Sequence, residues 1–182
     1  YAKSRGIDIY FITWSIKLNA IAPPGWYRRQ ENKQGENGLY GINNDQENPR
    51  TIKYLRAAVK EFVLTYPDLA GIGLTAGENM EDRDDEYDRV NWHWMTYGQG
   101  VMDAKKEQPD REVRLIHRAW QAGWDKVMNQ FVDKYPDPVD FSFKYARARM
   151  YSTPAPRWAD DFIADLRRYK VKSWWNIRND DI

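Results

Sequence analysis

The sequence lacks cysteine, and it also lacks any long apolar segment. Without cysteine, the 182 residues cannot form a disulfide bond or a thiolate-ligated metal site. No apolar run approaches the roughly 20 residues that a membrane-spanning helix requires. Residues 1–6 lack the apolar core of a signal peptide and read as the end of a helix without an initiator methionine. From these features we expect a fragment of a longer polypeptide.

An excess of charge of either sign is missing too. Lys and Arg number 28 against 27 for Asp and Glu, which gives a formal net charge of +1. A chain without a global field has no general affinity for polyanions, so we expect neither a nucleic-acid nor a membrane partner. No apolar run is followed by a glycine-rich phosphate loop, so a nucleotide-binding sheet is disfavoured and we expect no cofactor and no metal.

The sequence does contain five short runs rich in β-branched and aromatic residues, separated by segments with helical spacing of apolar residues. These strand candidates cover residues 7–15, 70–75, 112–117, 141–145 and 172–177. A proline ends the preceding helix before three of them, as in Tyr66-Pro67-Asp68. Because 42% of the residues are apolar, we treat residues 1–182 as one packed domain. Regular alternation of strand and helix predicts a parallel sheet covered by helices.

Polar residues after the strands favour a barrel over an open sheet, because barrel enzymes carry their chemistry at the carboxyl ends of the strands. Polar residues also alternate within strands, as in Ser142 and Lys144, which indicates a polar interior. We therefore predict an α/β fold that is part of a (β/α)8 barrel. A complete barrel has eight strands and about 250 residues, so the two sheet edges need the remainder of the barrel, from the same or another chain.

Glu78 is the best candidate for a general acid. It lies in Gly77-Glu78-Asn79, directly after a buried run, where glycine lets the backbone turn toward a cleft. A carboxyl group whose pKa is raised by partial burial can protonate a leaving oxygen. Asp180 and Asp181 follow the last run, and either supplies the second carboxylate that glycoside hydrolysis needs. The alternatives are a solvated acidic loop that begins at Glu78 and a terminal acidic turn that pairs with Arg178.

Several cations and aromatic rings fall on or just after the strands, where they would bind substrate. The predicted substrate-binding residues are Trp14, Asn79, His117, Arg118, Lys144, Arg147, Arg149, Trp174, Asn176 and Arg178. Arginine grips carboxylates with two parallel hydrogen bonds, so an anionic sugar such as a uronic acid explains the cations. They would equally neutralise the carboxylates nearby, and a lone histidine such as His117 is often structural. Tryptophan faces suit sugar rings.

Taken together, the chain resembles (β/α)-barrel glycoside hydrolases, and most loosely the α-glucuronidase-like members. The segments that carry the resemblance are Gly71–Asn79, Arg114–Arg118, Phe141–Tyr145 and Trp174–Asp181. The resemblance implies hydrolysis of a polysaccharide or oligosaccharide, with the acid/base after the fourth barrel strand and the nucleophile after the seventh. Glu78 and Asp180 occupy those places if the first run is the third strand. The family pattern has Asn-Glu, whereas this chain has Gly77-Glu78-Asn79.

Two other functions fit the same residues. Glu78, His117 and Asp180 at strand ends would suit a divalent metal in a sugar isomerase, and the aromatic residues would suit a barrel that only binds glycans. A polysaccharide substrate, if correct, favours a secreted or periplasmic location.

Overall fold

The computed structural model describes residues 1–14, 39–42, 46–75, 86–118, 124–144 and 158–176. Five parallel strands form one sheet, and each strand pairs with the next in chain order. The strands are β1 (Ile9–Trp14), β2 (Leu69–Thr75), β3 (Arg114–Arg118), β4 (Val139–Lys144) and β5 (Ser173–Asn176). Sequential parallel pairing of this kind is the arrangement of a (β/α) barrel.

Helical segments connect the strands. They are α1 (Pro49–Thr65), α2 (Glu86–His93), α3 (Gln99–Glu107), α4 (Trp124–Val127) and α5 (Trp158–Tyr169). A π-helical segment, Trp94–Gly98, joins α2 to α3, and another, Met128–Val132, extends α4. The Asn48 side chain caps α1 by accepting the Arg50 N–H, and Pro49 takes the first helical position. No helix in the described ranges is long and apolar enough to cross a membrane.

The predicted α/β fold with five parallel strands is confirmed, while the strand limits differ by one or two residues. The starts of β1, β3 and β4 differ by two residues, and β4 is extended, because it begins at Val139 rather than at residue 141. The sequence Pro136-Asp137-Pro138-Val139-Asp140 reads as a polar turn, which excludes Asp140 from the predicted strand. In the structure the Asp140 side chain is buried and paired, which removes the usual cost of an acidic residue in a sheet.

Alternate residues of each strand point to opposite faces of the sheet. The outer face packs against the helices and forms the hydrophobic core, with Ile72 and Leu74 of β2, Leu115 of β3 and Phe141 of β4 all nearly fully buried. The core continues into the helices through Val63 and into both π-helical segments. This apolar layer attaches the helices to the outer face of the sheet. The side chains of the inner face therefore point away from the helices.

The inner face combines apolar residues such as Ile12 and Ile116 with polar residues that the carboxylate of Asp140 organises. Its Oδ2 accepts a hydrogen bond from Arg114 Nη1 on β3 at 2.7 Å and one from Trp174 Nε1 on β5 at 2.9 Å. The Trp174 ring meets the Tyr10 ring of β1 edge-on, with centroids 5.0 Å apart. The two outermost described strands thus touch through their side chains across the inner face, which requires a strongly curved sheet.

We predict that Asp140→Ala destabilises the protein by about 3–5 kcal/mol, because it leaves the Arg114 guanidinium and the Trp174 indole without their shared acceptor. Glu112→Ala is the matched control, since Glu112 also pairs with Arg114 but has an exposed carboxylate, and it should cost less than about 1 kcal/mol. Urea unfolding monitored by circular dichroism measures both. Equal losses for the two variants would show that the buried carboxylate does not organise the inner face.

Candidate functional site at the carboxyl ends of the strands

A recess of about 190 Å³ opens on the inner face toward the carboxyl ends of the strands. It is lined by Ile12, Gly73, Leu74, Thr75, Ile116, Arg118 and Ser142. Gly73 in the middle of β2 accommodates the Ile12 side chain of β1, because a Cβ at Gly73 would lie 2.6 Å from it. Close packing of β1 against β2 at this position therefore forms one wall of the recess.

The polar part of the recess consists of one guanidinium and two hydroxyl groups. Arg118 ends β3 and Thr75 ends β2, and Ser142 is the register partner of Arg118 on β4. The Arg118 side chain is half-buried, so its charge lies in a medium less polar than water. A planar cation beside two hydroxyl groups can bind an oxygen-rich ligand and favours one that carries a carboxylate.

The side chain of His117 does not reach this recess. It points to the opposite face of β3, where it is fully buried and packs against Phe131 and Phe141, with ring centroids 5.2 Å and 6.2 Å away. Its Nδ1 lies 3.1 Å from the Arg118 carbonyl oxygen. The expectation of a substrate contact at His117 is therefore corrected, because alternation along the strand sends residue 117 to the helices and residue 118 to the recess.

His117 forms a buried pair with His93, which ends α2, and their ring centroids are 6.1 Å apart. Burial lowers the pKa of His93 to about 4, although hydrogen bonds to the backbone of Arg89 and Thr75 raise it. Burial, and next the neighbouring His93, lower the pKa of His117 to about 3. Both rings are thus neutral near pH 7. A neutral His93 has a single N–H, so it can donate to only one of the two backbone oxygens, that of Arg89 or that of Thr75.

The remaining predicted residues fall into two groups. Trp14, Lys144 and Asn176 are the last residues of β1, β4 and β5, so their backbone lies at the same edge of the sheet as Arg118. Glu78, Asn79, Arg147, Arg149, Arg178, Asp180 and Asp181 lie outside the described residues. The backbone therefore brings the strand ends together as predicted, and Glu78 follows one of them.

Trp174 lies on the inner face, as a substrate-binding residue must, but it also has a structural partner. Its side chain is 39% exposed, and its indole N–H is donated to Asp140. The sequence prediction missed Asp140, Arg114 and Tyr10, which surround this ring. Alternation back from Ser142 identifies Asp140 as an inner-face residue once the strand is extended to Val139.

Among the side chains that the structure describes, no group of three His, Asp or Glu could hold a metal ion.

From the fold and the recess, the described part of the chain is a stretch of a (β/α) barrel, with polar groups at the carboxyl ends of its strands. No protein-family model and no curated protein matches the chain. Among solved structures, it is similar to a GH138 enzyme described as targeting pectin rhamnogalacturonan II, with a TM-score of 0.71 and 20% sequence identity. The similarity covers 97% of this chain but only 19% of that one. At this identity it shows the shared fold.

The buried histidine pair predicts loss of stability in mild acid. Each folded-state pKa lies below the value of about 6.5 for an exposed histidine, so between about pH 6.5 and 4 the unfolded chain binds protons that the folded chain does not. Stability therefore falls as the pH falls, by up to about 1.4 kcal/mol per pH unit for each histidine. Urea titrations at pH 7, 6 and 5 measure this slope.

His117→Leu should reduce the slope by about half, whereas Glu61→Gln on the exposed surface of α1 should leave it unchanged. An unaltered slope in His117→Leu would show that the pair is not the source of the acid sensitivity.

Proposed function

We propose that the chain forms part of a glycoside hydrolase that cleaves a polysaccharide or oligosaccharide. The observation that carries the proposal is that all five strands end at one edge, where Arg118, Thr75 and Ser142 line a recess. The backbone of β2 leads from this recess to Glu78 within three residues. The fold similarity to a GH138 enzyme supports the same class of reaction.

In this proposal, Glu78 protonates the leaving glycosidic oxygen and a second carboxylate acts from the other side of the sugar ring. Asp180 is our choice for the second carboxylate, because it follows β5, and Asp181 is the alternative. The reaction requires the two carboxyl groups to lie roughly 5 to 9.5 Å apart, with the exact spacing determining whether the second attacks carbon or activates water.

The proposed substrate is an acidic plant polysaccharide of the pectin type. The neighbouring structure is of an enzyme that targets pectin rhamnogalacturonan II, and Arg118 in the recess has the geometry to bind a carboxylate. Lys144 ends β4, Arg147 and Arg149 follow it, and Arg178 follows β5. These four cations would bind further carboxylates along an anionic chain. Asn79 and Asn176 would bind hydroxyl groups, and Trp14 and Trp174 would supply apolar faces for sugar rings.

We further propose that residues 1–182 are one part of a catalytic barrel that additional strands complete. Within the part of the chain that the structure describes, β1 and β5 each pair on one side only. Open edges with exposed apolar residues are prone to aggregation unless they are covered. The contact between Tyr10 of β1 and Trp174 of β5 indicates that the sheet is strongly curved. A curved sheet of this kind can be closed into a barrel by additional strands.

Glu78→Gln should lower kcat on rhamnogalacturonan II by about 10²- to 10⁴-fold, because the amide cannot donate the proton that the leaving oxygen requires. Glu61→Gln is the control and should retain full activity. Release of reducing ends measures hydrolysis, and a metal-dependent isomerase would release none. Repeating the assay in a chelator tests whether the reaction requires a metal. Full activity of Glu78→Gln would remove it from the mechanism, and loss of activity in the chelator would favour a metal enzyme.

Arg118→Ala should raise KM on the acidic polysaccharide by about 10- to 100-fold with a smaller effect on kcat, because it removes a charge-assisted hydrogen bond. A substrate whose carboxyl groups have been chemically reduced provides the control. On that substrate, the wild type and the variant should differ little. A variant that loses the same activity on both substrates would show that Arg118 does not recognise a carboxylate.

A further inference from the structure

The outer face of β1 carries an apolar surface that the described residues leave open. Ile9 and Phe11 of β1 are each 45% exposed, and Tyr66 at the end of α1 is 55% exposed. The Phe62 ring of α1 lies between the aromatic residues, with centroids 4.7 Å from Phe11 and 4.9 Å from Tyr66. We call Ile9, Phe11, Phe62 and Tyr66 the β1 apolar surface. Exposed apolar side chains that cluster in this way are typical of a surface that another element covers.

Lys3–Arg5 form a single 3-10 turn, and the residues that follow it have the geometry of a helix C-terminus. Gly6 is left-handed, with φ 70° and ψ 23°. The Gly6 N–H bonds to the Lys3 carbonyl oxygen at 3.0 Å, and the Ile7 N–H bonds to the Ala2 carbonyl oxygen at 3.1 Å. These two bonds are the pair that defines a Schellman motif, in which the last turn of an α-helix is capped and an apolar residue follows the glycine.

This helix end is held close to the β1 apolar surface. Lys3 forms an ion pair with Asp68, which directly precedes β2, at 3.1 Å. Only Gly6, Ile7 and Asp8 separate the capped turn from β1, and three residues span at most about 10 Å. A helix that ends at Arg5 is therefore close enough to β1 to pack antiparallel alongside it.

We propose that the β1 apolar surface is the docking site of an amphipathic α-helix formed by residues upstream of Tyr1 in the same polypeptide, of which Ala2–Arg5 is the last turn. The inference rests on the proposal that additional strands complete the barrel, and it identifies the first element outside β1. The capping geometry favours this helix over a second copy of the chain. A helix that continues upstream from Ala2 reaches the surface within one polypeptide, whereas a second copy requires two chains to associate. The helix also covers the aromatic side chains beside the open strand edge.

Cysteine labelling tests this proposal cleanly, because the sequence has no cysteine of its own. Phe11→Cys reports on the β1 apolar surface, and Lys53→Cys on the exposed side of α1 is the matched control. Each substitution is introduced into two proteins, one of residues 1–182 and one extended to the natural N-terminus. Any cysteine upstream of Tyr1 is changed to serine. Maleimide labelling rates are then compared. Tyr66→Cys serves as a second reporter if Phe11→Cys does not fold.

We expect the thiol at position 11 to react at least about tenfold more slowly in the extended polypeptide, while the thiol at position 53 reacts equally in both. Equal rates at position 11 would overturn the proposal, as would a natural N-terminus at Tyr1. A second copy of the chain would cover the surface instead if two results were found for residues 1–182. The thiol at position 11 would react more slowly as the protein concentration rises, and analytical ultracentrifugation would detect dimers. Because the readout needs no catalysis, these outcomes are independent of the glycosidase proposal.

Discussion

The carboxylate of Asp140 is the interaction on which the rest of the inner face depends. It joins β3 to β5 through Arg114 and Trp174, and Trp174 in turn contacts Tyr10 on β1. A buried acid is costly unless a cation and further donors satisfy it, and here two donors share one oxygen. A flat sheet would hold β1 and β5 too far apart for their side chains to meet, so this contact requires the curvature of a barrel wall.

The recess follows from that curvature and from two small residues of β2. Gly71 accommodates the Arg114 backbone, since a Cβ there would lie 2.2 Å from the Arg114 carbonyl oxygen, and Gly73 accommodates the Ile12 side chain. On the other face, the neutral His93–His117 pair packs beneath the same strand ends. Packing against the helices therefore fixes the strand ends, and the strand ends position the polar groups of the recess.

Most of the fold was predictable from the sequence, because apolar runs that alternate with helical segments leave few arrangements other than a parallel sheet. The limits of β4 were not, since Asp140 looks like a turn residue until its partners on other strands are known. His117 was misassigned for a related reason. It adjoins Arg118 in sequence, but the two side chains lie on opposite faces, and only the register of the strand decides which one meets the recess.

The central claim is that substrate binds where the five strands end. A crystal structure of the Glu78→Gln protein with a bound acidic pectic oligosaccharide tests it most directly. The account predicts electron density for a sugar ring in the recess, with its carboxylate on the Arg118 guanidinium and its hydroxyl groups near Ser142 and Thr75. A sugar bound at the amino-terminal end of the strands, or on the outer surface of the helices, would contradict it.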